Sequence, residues 1–161
     1  MAERTLTEML DDLRLTQQVF LDILSRADEH ILYRRPADGG WTLAESLAHI
    51  AEARQFFNQE TRRVLATPGA PMGRTVDHPG QLQNIQDHGY DAPDALRRRL
   101  VASHEDMLKT LSGMTDGDLQ ITGQHVRYGP QTLAEFIQRF MVEHDQAHVQ
   151  QAQTLLTVDA P

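Results

Sequence analysis

The 161-residue sequence contains no cysteine. That excludes disulfides, thiolate metal sites and a cysteine nucleophile, and it suits a reducing compartment. Long apolar runs are also missing. No stretch of about 18 apolar residues is available to span a bilayer, and Met1–Leu13 interleaves charged with apolar residues, without the uninterrupted apolar segment of a signal peptide. A cytoplasmic location is the expectation. Positive charge is scarce: 15 Lys and Arg stand against 23 Asp and Glu, for a net charge of −8. This balance argues against nucleic acid and against an anionic membrane as partners. The run Arg97-Arg98-Arg99 is too short to reverse it and reads as a solvated helix face. Sustained period-two alternation is absent as well, so the expected class is all-α.

The length predicts one domain, residues 1–161, with a sizeable core. Four long helical patterns are legible. The first runs from Thr5 to Leu32 on apolar residues including Leu6, Met9, Leu10, Leu13, Phe20 and Leu24, until Pro36, Gly39 and Gly40 force a loop. The second starts at Thr42, with Glu45 closing a capping box, and runs to Pro68. Residues 67–93 hold many prolines and glycines and read as a long irregular crossover. It has one short helical turn near Gln81–Gln86 and apolar anchors at Val76, Leu82, Ile85 and Tyr90. The third helix begins near Asp91–Asp94 and ends at Gly113, after which Leu119–Tyr128 can hold a short extended piece. The fourth repeats the capping box with Thr132 and Glu135 and runs to Leu156. A four-helix bundle is the expected architecture, up-down-up-down, with helices two and four parallel across a diagonal.

The chemistry concentrates on three histidines. His144 and His148 are spaced H-x-x-x-H, about 6 Å apart along one helix face. They continue the stripe of Phe136, Ile137, Phe140 and Met141, so they are expected to point inward. Two readings compete. Each imidazole can hydrogen-bond a carbonyl or carboxylate, or one ion can satisfy both. His49 favours the ion, because the second helix opens with Thr42-Leu43-Ala44-Glu45, the same words as Thr132-Leu133-Ala134-Glu135, and carries His49 two turns down. Geometry permits the three rings to converge without demanding it.

Gly40-Trp41-Thr42 through Glu45 to His49 resembles the W-[ST]-x-x-E-x-x-x-H opening of the DinB/YfiT-like superfamily, specifically its DinB_2-type members. Glu143-His144 through His148 and Gln151 resembles the closing H-x-x-x-H-x-x-Q. The resemblance covers almost the whole chain. It implies that His49, His144 and His148 bind a divalent metal, zinc or nickel. It also implies kinship with transferases and isomerases that use low-molecular-weight thiols such as bacillithiol or mycothiol.

Three neutral imidazoles leave an open metal position, which suits catalysis more than structure. With no cysteine in the chain, any thiol comes from a cosubstrate. Glu52, one turn beyond His49, is the candidate catalytic carboxylate, set against an exposed charge on a long helix. Glu45 is expected to be occupied by its capping box. Asp145 gives H-D-x-x-H, similar to the H-E-x-x-H of zinc proteases, but no downstream third ligand follows. His104 lies on the third helix's apolar stripe as an auxiliary ligand, a proton shuttle or a hydrogen-bonded core histidine, the last favoured. His30, His78, His88 and His125 are expected to be solvated, Trp41 to brace the start of the second helix, and Arg127 with Tyr128 to meet a substrate carboxylate. Three functions follow: a metal-dependent small-molecule transferase or hydrolase; a non-catalytic, stress-associated metal-binding bundle, with a homodimer as its oligomeric form; or a metal-free interaction module.

Overall fold

A computed structural model describes residues 4–157; residues 1–3 and 158–161 of the expected 1–161 domain lie outside the described residues. The bundle is built from α1 (Leu6–Arg26), α3 (Leu43–Ala66), α5 (Pro93–Ser112) and a fourth helix made of α6 (Leu133–Ile137), a π-helical segment (Gln138–Glu143) and α7 (His144–Thr157). Two smaller helices, α2 (Glu29–Tyr33) and α4 (Pro79–His88), lie in the connections. Capping boxes at Thr5–Glu8, Thr42–Glu45 and Thr132–Glu135 start three of the four bundle helices, each satisfying backbone donors that a helix start leaves free. Among the described residues no helix is long and apolar enough to cross a membrane.

The order around the bundle differs from the expected one. Neighbouring pairs are α1–α5, α5–α3, α3–α7 and α7–α1, so helices two and four share an edge instead of a diagonal. Their directions differ too. Asn58 reaches Asp106 and Arg62 reaches Thr110, so α3 and α5 ascend together. His49 meets His144 and Arg54 meets Asp145, while Phe57 packs on Phe140, so α3 and α7 run oppositely. The topology is up-down-down-up. A parallel α3–α5 pair requires the chain to travel back along the bundle between them, which is why residues 67–92 are long.

That crossover is more ordered than its prolines and glycines suggest. It contains a two-residue strand, β1 (Pro71–Met72), and the ten-residue α4. His78 caps α4 by accepting from the Gly80 amide, and Asn84 donates to the Ala48 carbonyl of α3. Val76, Leu82 and Tyr90 are exposed, Tyr90 stacking its ring 6.1 Å from that of Tyr33, and Met72 is the buried anchor. β1 pairs parallel with β2 (Thr122–His125), which pairs antiparallel with β3 (Gly129–Thr132). Strands of two and four residues are too short to show alternation in sequence. Gly73 follows β1 with φ +81°, and a Cβ there would lie 2.2 Å from His125 Nε2, so a glycine is required on both counts. The expected first helix also breaks, at Ala27, because the Asp28 side chain caps the Ile31 amide and starts α2 anew.

The core has two apolar halves. Leu13, Phe57, Met107, Phe136 and Met141 belong to one, and Phe20, Ile50, Leu100 and Ala152 to the other. Between them lies a buried polar layer with one residue from each bundle helix: Gln17, Arg54, His104 and Asp145. Arg54 is 1% exposed and donates Nε and Nη2 to Asp145 Oδ2 at 2.9 and 2.7 Å and Nη1 to Gln17 Oε1 at 2.7 Å. This layer sits directly behind the three histidines.

Candidate metal centre

Local helix geometry places each ring. His49 projects from the second turn of α3 and is 5% exposed. His144 and His148 begin α7 immediately after the π segment. The wider π turn adds a residue to the helical phase. Beyond it the core positions become Met141, Val142, Asp145 and Ala152, one residue later than the sequence stripe predicts. His144 and His148 are therefore half-buried at the bundle edge, facing a cleft, instead of pointing into the core.

The structure brings the three rings together. One nitrogen from each lies within 4.8 Å of the others. The ring centroids are 5.2 Å (His49–His144), 5.0 Å (His49–His148) and 4.5 Å (His144–His148) apart. His49 Nε2 and His144 Nε2 face each other at 3.1 Å, close enough to share one proton. The opposite ring edges have supports. His148 Nδ1 meets Gln151 Oε1 at 2.8 Å, so Nδ1 donates and Nε2 keeps its lone pair for the centre. Asp145 Oδ1 lies 3.7 Å from His144 Nδ1, and Glu52 Oε2 lies 3.9 Å from His49 Nδ1, which is buried without a hydrogen bond.

Electrostatics keep the cluster ready to donate lone pairs. Burial pushes the His49 pKa down to about 2, with the charges of His144, His148 and Arg74 adding to the effect and Asp145 opposing it. Burial and His144 push His148 down to about 4, against its bond to Gln151. Burial raises the Asp145 carboxyl, but Arg54 overrides this and holds it below the usual range. Asp145 is thus an ionised group turned into the bundle, supporting His144 from behind. Three imidazole nitrogens converging on one point fit a divalent metal ion.

The centre opens into a cleft of about 310 Å³ walled by Trp41, Phe57, Arg74, Val76 and Phe140. Trp41 does more than brace the start of α3: its ring packs 4.9 Å from His49 and lines the cleft. Glu52 is not an exposed charge. Its side chain is 16% exposed and takes both arms of Arg74, which comes from the crossover and lies 4.4 Å from the Phe56 ring. Glu45 is occupied, accepting from the Thr42 amide and from Arg35. His104 stays in the polar layer and is not part of the histidine cluster. His30 is exposed, and His78 and His88 are half-buried in helix-end contacts. His125 corrects the expectation of a solvated side chain. It is 4% exposed, stacked 4.9 Å from Phe140, and its Nδ1 accepts from the Arg127 and Tyr128 amides. The short β2–β3 hairpin buries it, and period-two alternation over four residues was too little to reveal that.

The buried histidines make stability pH-dependent. Burial pushes His104 down from 6.5 to about 4, with the charge of Arg54 reinforcing this. The unfolded chain takes up a proton near 6.5 while the native state resists until about 4. Stability is therefore full above 6.5, falls as pH drops through this window, and levels below it. His104 alone accounts for on the order of 3 kcal/mol, at 1.36 kcal/mol per pKa unit. Urea unfolding of metal-free protein at pH 7 and pH 4.5 is expected to show the loss, and His104→Leu to reduce it. An equal loss in that variant would remove His104 from the account.

The DinB superfamily pattern matches residues 12–152. No curated protein matches the sequence. Among solved structures, YfiT from Bacillus subtilis, described as a probable metal-dependent hydrolase with an unusual four-helix bundle topology, superposes with a TM-score of 0.80. The identity is 17%, over 96% of this chain and 87% of that one. An uncharacterised protein from Clostridium difficile 630 gives 0.76 at 12% identity, over 99% and 100%. The mycothiol-dependent maleylpyruvate isomerase gives 0.75 at 17% identity, covering 98% of this chain but only 62% of the isomerase. With seven-eighths of its length matched and its bundle shared with these structures, the chain belongs to the DinB superfamily.

Proposed function

We propose that His49, His144 and His148 hold a divalent metal, zinc or nickel, and that the protein is a metal-dependent transferase that moves a low-molecular-weight thiol onto a small electrophile. The observation that carries this reading is the convergence of three ring nitrogens within 4.8 Å on an open cleft. When bound, the metal supplies a Lewis acid that lowers the pKa of a water or thiol held in its open position. The protein's own groups do the rest. Gln151 and Asp145 fix ring orientation behind His148 and His144. Glu52, held by Arg74, lies 3.9 Å from His49 Nδ1 and is the carboxylate placed to take a proton from a group bound at the centre. Trp41, Phe57 and Phe140 give the cleft apolar walls that exclude water. The dependence of the similar isomerase on mycothiol supports the thiol, and a thiol cosubstrate suits the reducing cytoplasm expected of a cysteine-free chain. The description of YfiT as a probable hydrolase supports a second reading, in which the same centre activates water.

The test is elemental analysis of protein purified without a histidine tag, followed by an assay of Zn- and Ni-loaded protein with mycothiol, bacillithiol and monochlorobimane. About one metal per chain and chelator-sensitive thiol transfer are the expected results. Absence of stoichiometric metal together with no uptake of added Zn²⁺ or Ni²⁺ would falsify the metal reading; metal uptake with ester hydrolysis but no thiol transfer selects the hydrolase.

A further inference from the structure

A second cavity, of about 450 Å³, lies between the crossover and the β2–β3 hairpin. It shares Arg74, Thr75, Val76 and Phe140 with the histidine cleft, so the two adjoin along one groove face. Volumes of this size suit a small organic ligand. Its far end is cationic in an otherwise acidic protein. Arg127 lines it, its guanidinium 5.5 Å from the Tyr128 ring, and Arg139, just outside the lining, lies 4.7 Å from the same ring. Neither makes an ion pair among the described residues, whereas Arg74 is already matched by Glu52. Burial lowers the His125 pKa, and the positive charges of Arg139 and Arg127 add to the effect. Val76, Val126 and Tyr128, all exposed, add an apolar rim. Both charges are left without a carboxylate partner beside that ring, so an anion arriving there gains an unspent cation. Arginine forks also match carboxylate geometry.

We propose that this end of the groove is a carboxylate-binding subsite, in which Arg127 and Arg139 anchor the acid group of a small substrate whose flat apolar body lies along Tyr128 and Phe140 toward the three histidines. The proposal rests on the metal-centre reading for what happens at the near end. The arginine anchor itself is independent of any metal. It narrows the substrate class to small unsaturated or aromatic acids, with the reactive carbon held away from the carboxylate.

Calorimetric titration of cinnamate and of the uncharged cinnamamide, into both metal-free and Zn-loaded protein, tests the subsite. Cinnamate is expected to bind about tenfold tighter than the amide in both forms, the value of one charge-assisted pair. Arg127→Gln with Arg139→Gln is expected to erase that preference without changing cinnamamide affinity or Zn uptake. Both residues are exposed, so the fold does not depend on them. Equal affinity for the two probes, binding of neither, or a preference that survives in the double variant overturns the subsite. A preference seen only with Zn present overturns it as well, because the metal is then the anchor. If the protein takes up no Zn yet the metal-free form keeps the preference, the metal reading fails and the subsite stands.

Discussion

Alanine in place of His148 is expected to lower Zn²⁺ affinity by about a hundred- to a thousandfold while leaving the bundle folded. Apparent zinc affinities of about 10–16 kcal/mol, shared over four ligands, assign roughly 2.5–4 kcal/mol to each. The fold survives because His148 is half-buried at the edge of the bundle and alanine is the best helix former. His49→Ala lowers affinity to the same extent but also costs stability, since His49 is 5% exposed and packed against Trp41. Gln151→Ala is milder, roughly tenfold, because it releases the orientation of His148 and not its lone pair. Competition against a fluorescent chelator, with helicity followed by circular dichroism, separates these effects. An unchanged Zn²⁺ affinity in His148→Ala sinks the ligand assignment, whatever else the variant does.

The three histidines are legible as candidates because helical spacing and the repeated capping words single them out, while spacing only permits their convergence and the family resemblance implies it. What surrounds them was less so. The π segment cannot be read from a run such as Gln138-Arg139-Phe140-Met141-Val142-Glu143, whose apolar pattern fits an ordinary helix, so the rings were expected in the core. The up-down-down-up order was hidden for a different reason. Helix direction follows from whether a connection returns along the bundle, and α4 and β1 inside residues 67–92 make that return. Arg74 reaches the cleft through the same return, so nothing near His49 in sequence announces it.

The polar layer left a usable trace. Arg54 interrupts the stripe Leu47, Ile50, Phe57, Thr61, Val64 at the position where an apolar residue belongs. Gln17 does the same between Leu13 and Phe20, and His104 between Leu100 and Met107. Charged and polar residues at core positions on three helices predict one another as partners, because a lone buried charge is too costly to keep. Asp145 is the fourth member. The H-D-x-x-H spacing directs attention to its likeness to a protease motif instead, and only the phase shift after the π turn puts it inside.

Breaking that layer is expected to give the largest loss of stability in the molecule. Asp145→Ala strands the guanidinium of Arg54, 1% exposed, and the loss of one partner of a buried pair costs about 3–5 kcal/mol. For a chain of this size that corresponds to a fall in melting temperature of roughly 10 °C. The variant also removes the carboxylate behind His144, so Zn²⁺ affinity falls about ten- to a hundredfold. The two losses have separate origins, and the double variant Arg54→Met with Asp145→Leu parts them. Two apolar side chains restore packing and most of the stability, less about 1 kcal/mol for the Gln17 amide deprived of its donor. They restore no acceptor beside His144, so the metal affinity stays low. Denaturant unfolding of the metal-free variants beside chelator competition reads both quantities. If Asp145→Ala unfolds within 1 kcal/mol of the parent, the pair is not holding the core. If the double variant regains metal affinity along with stability, Asp145 supports the bundle alone and has no part in orienting His144.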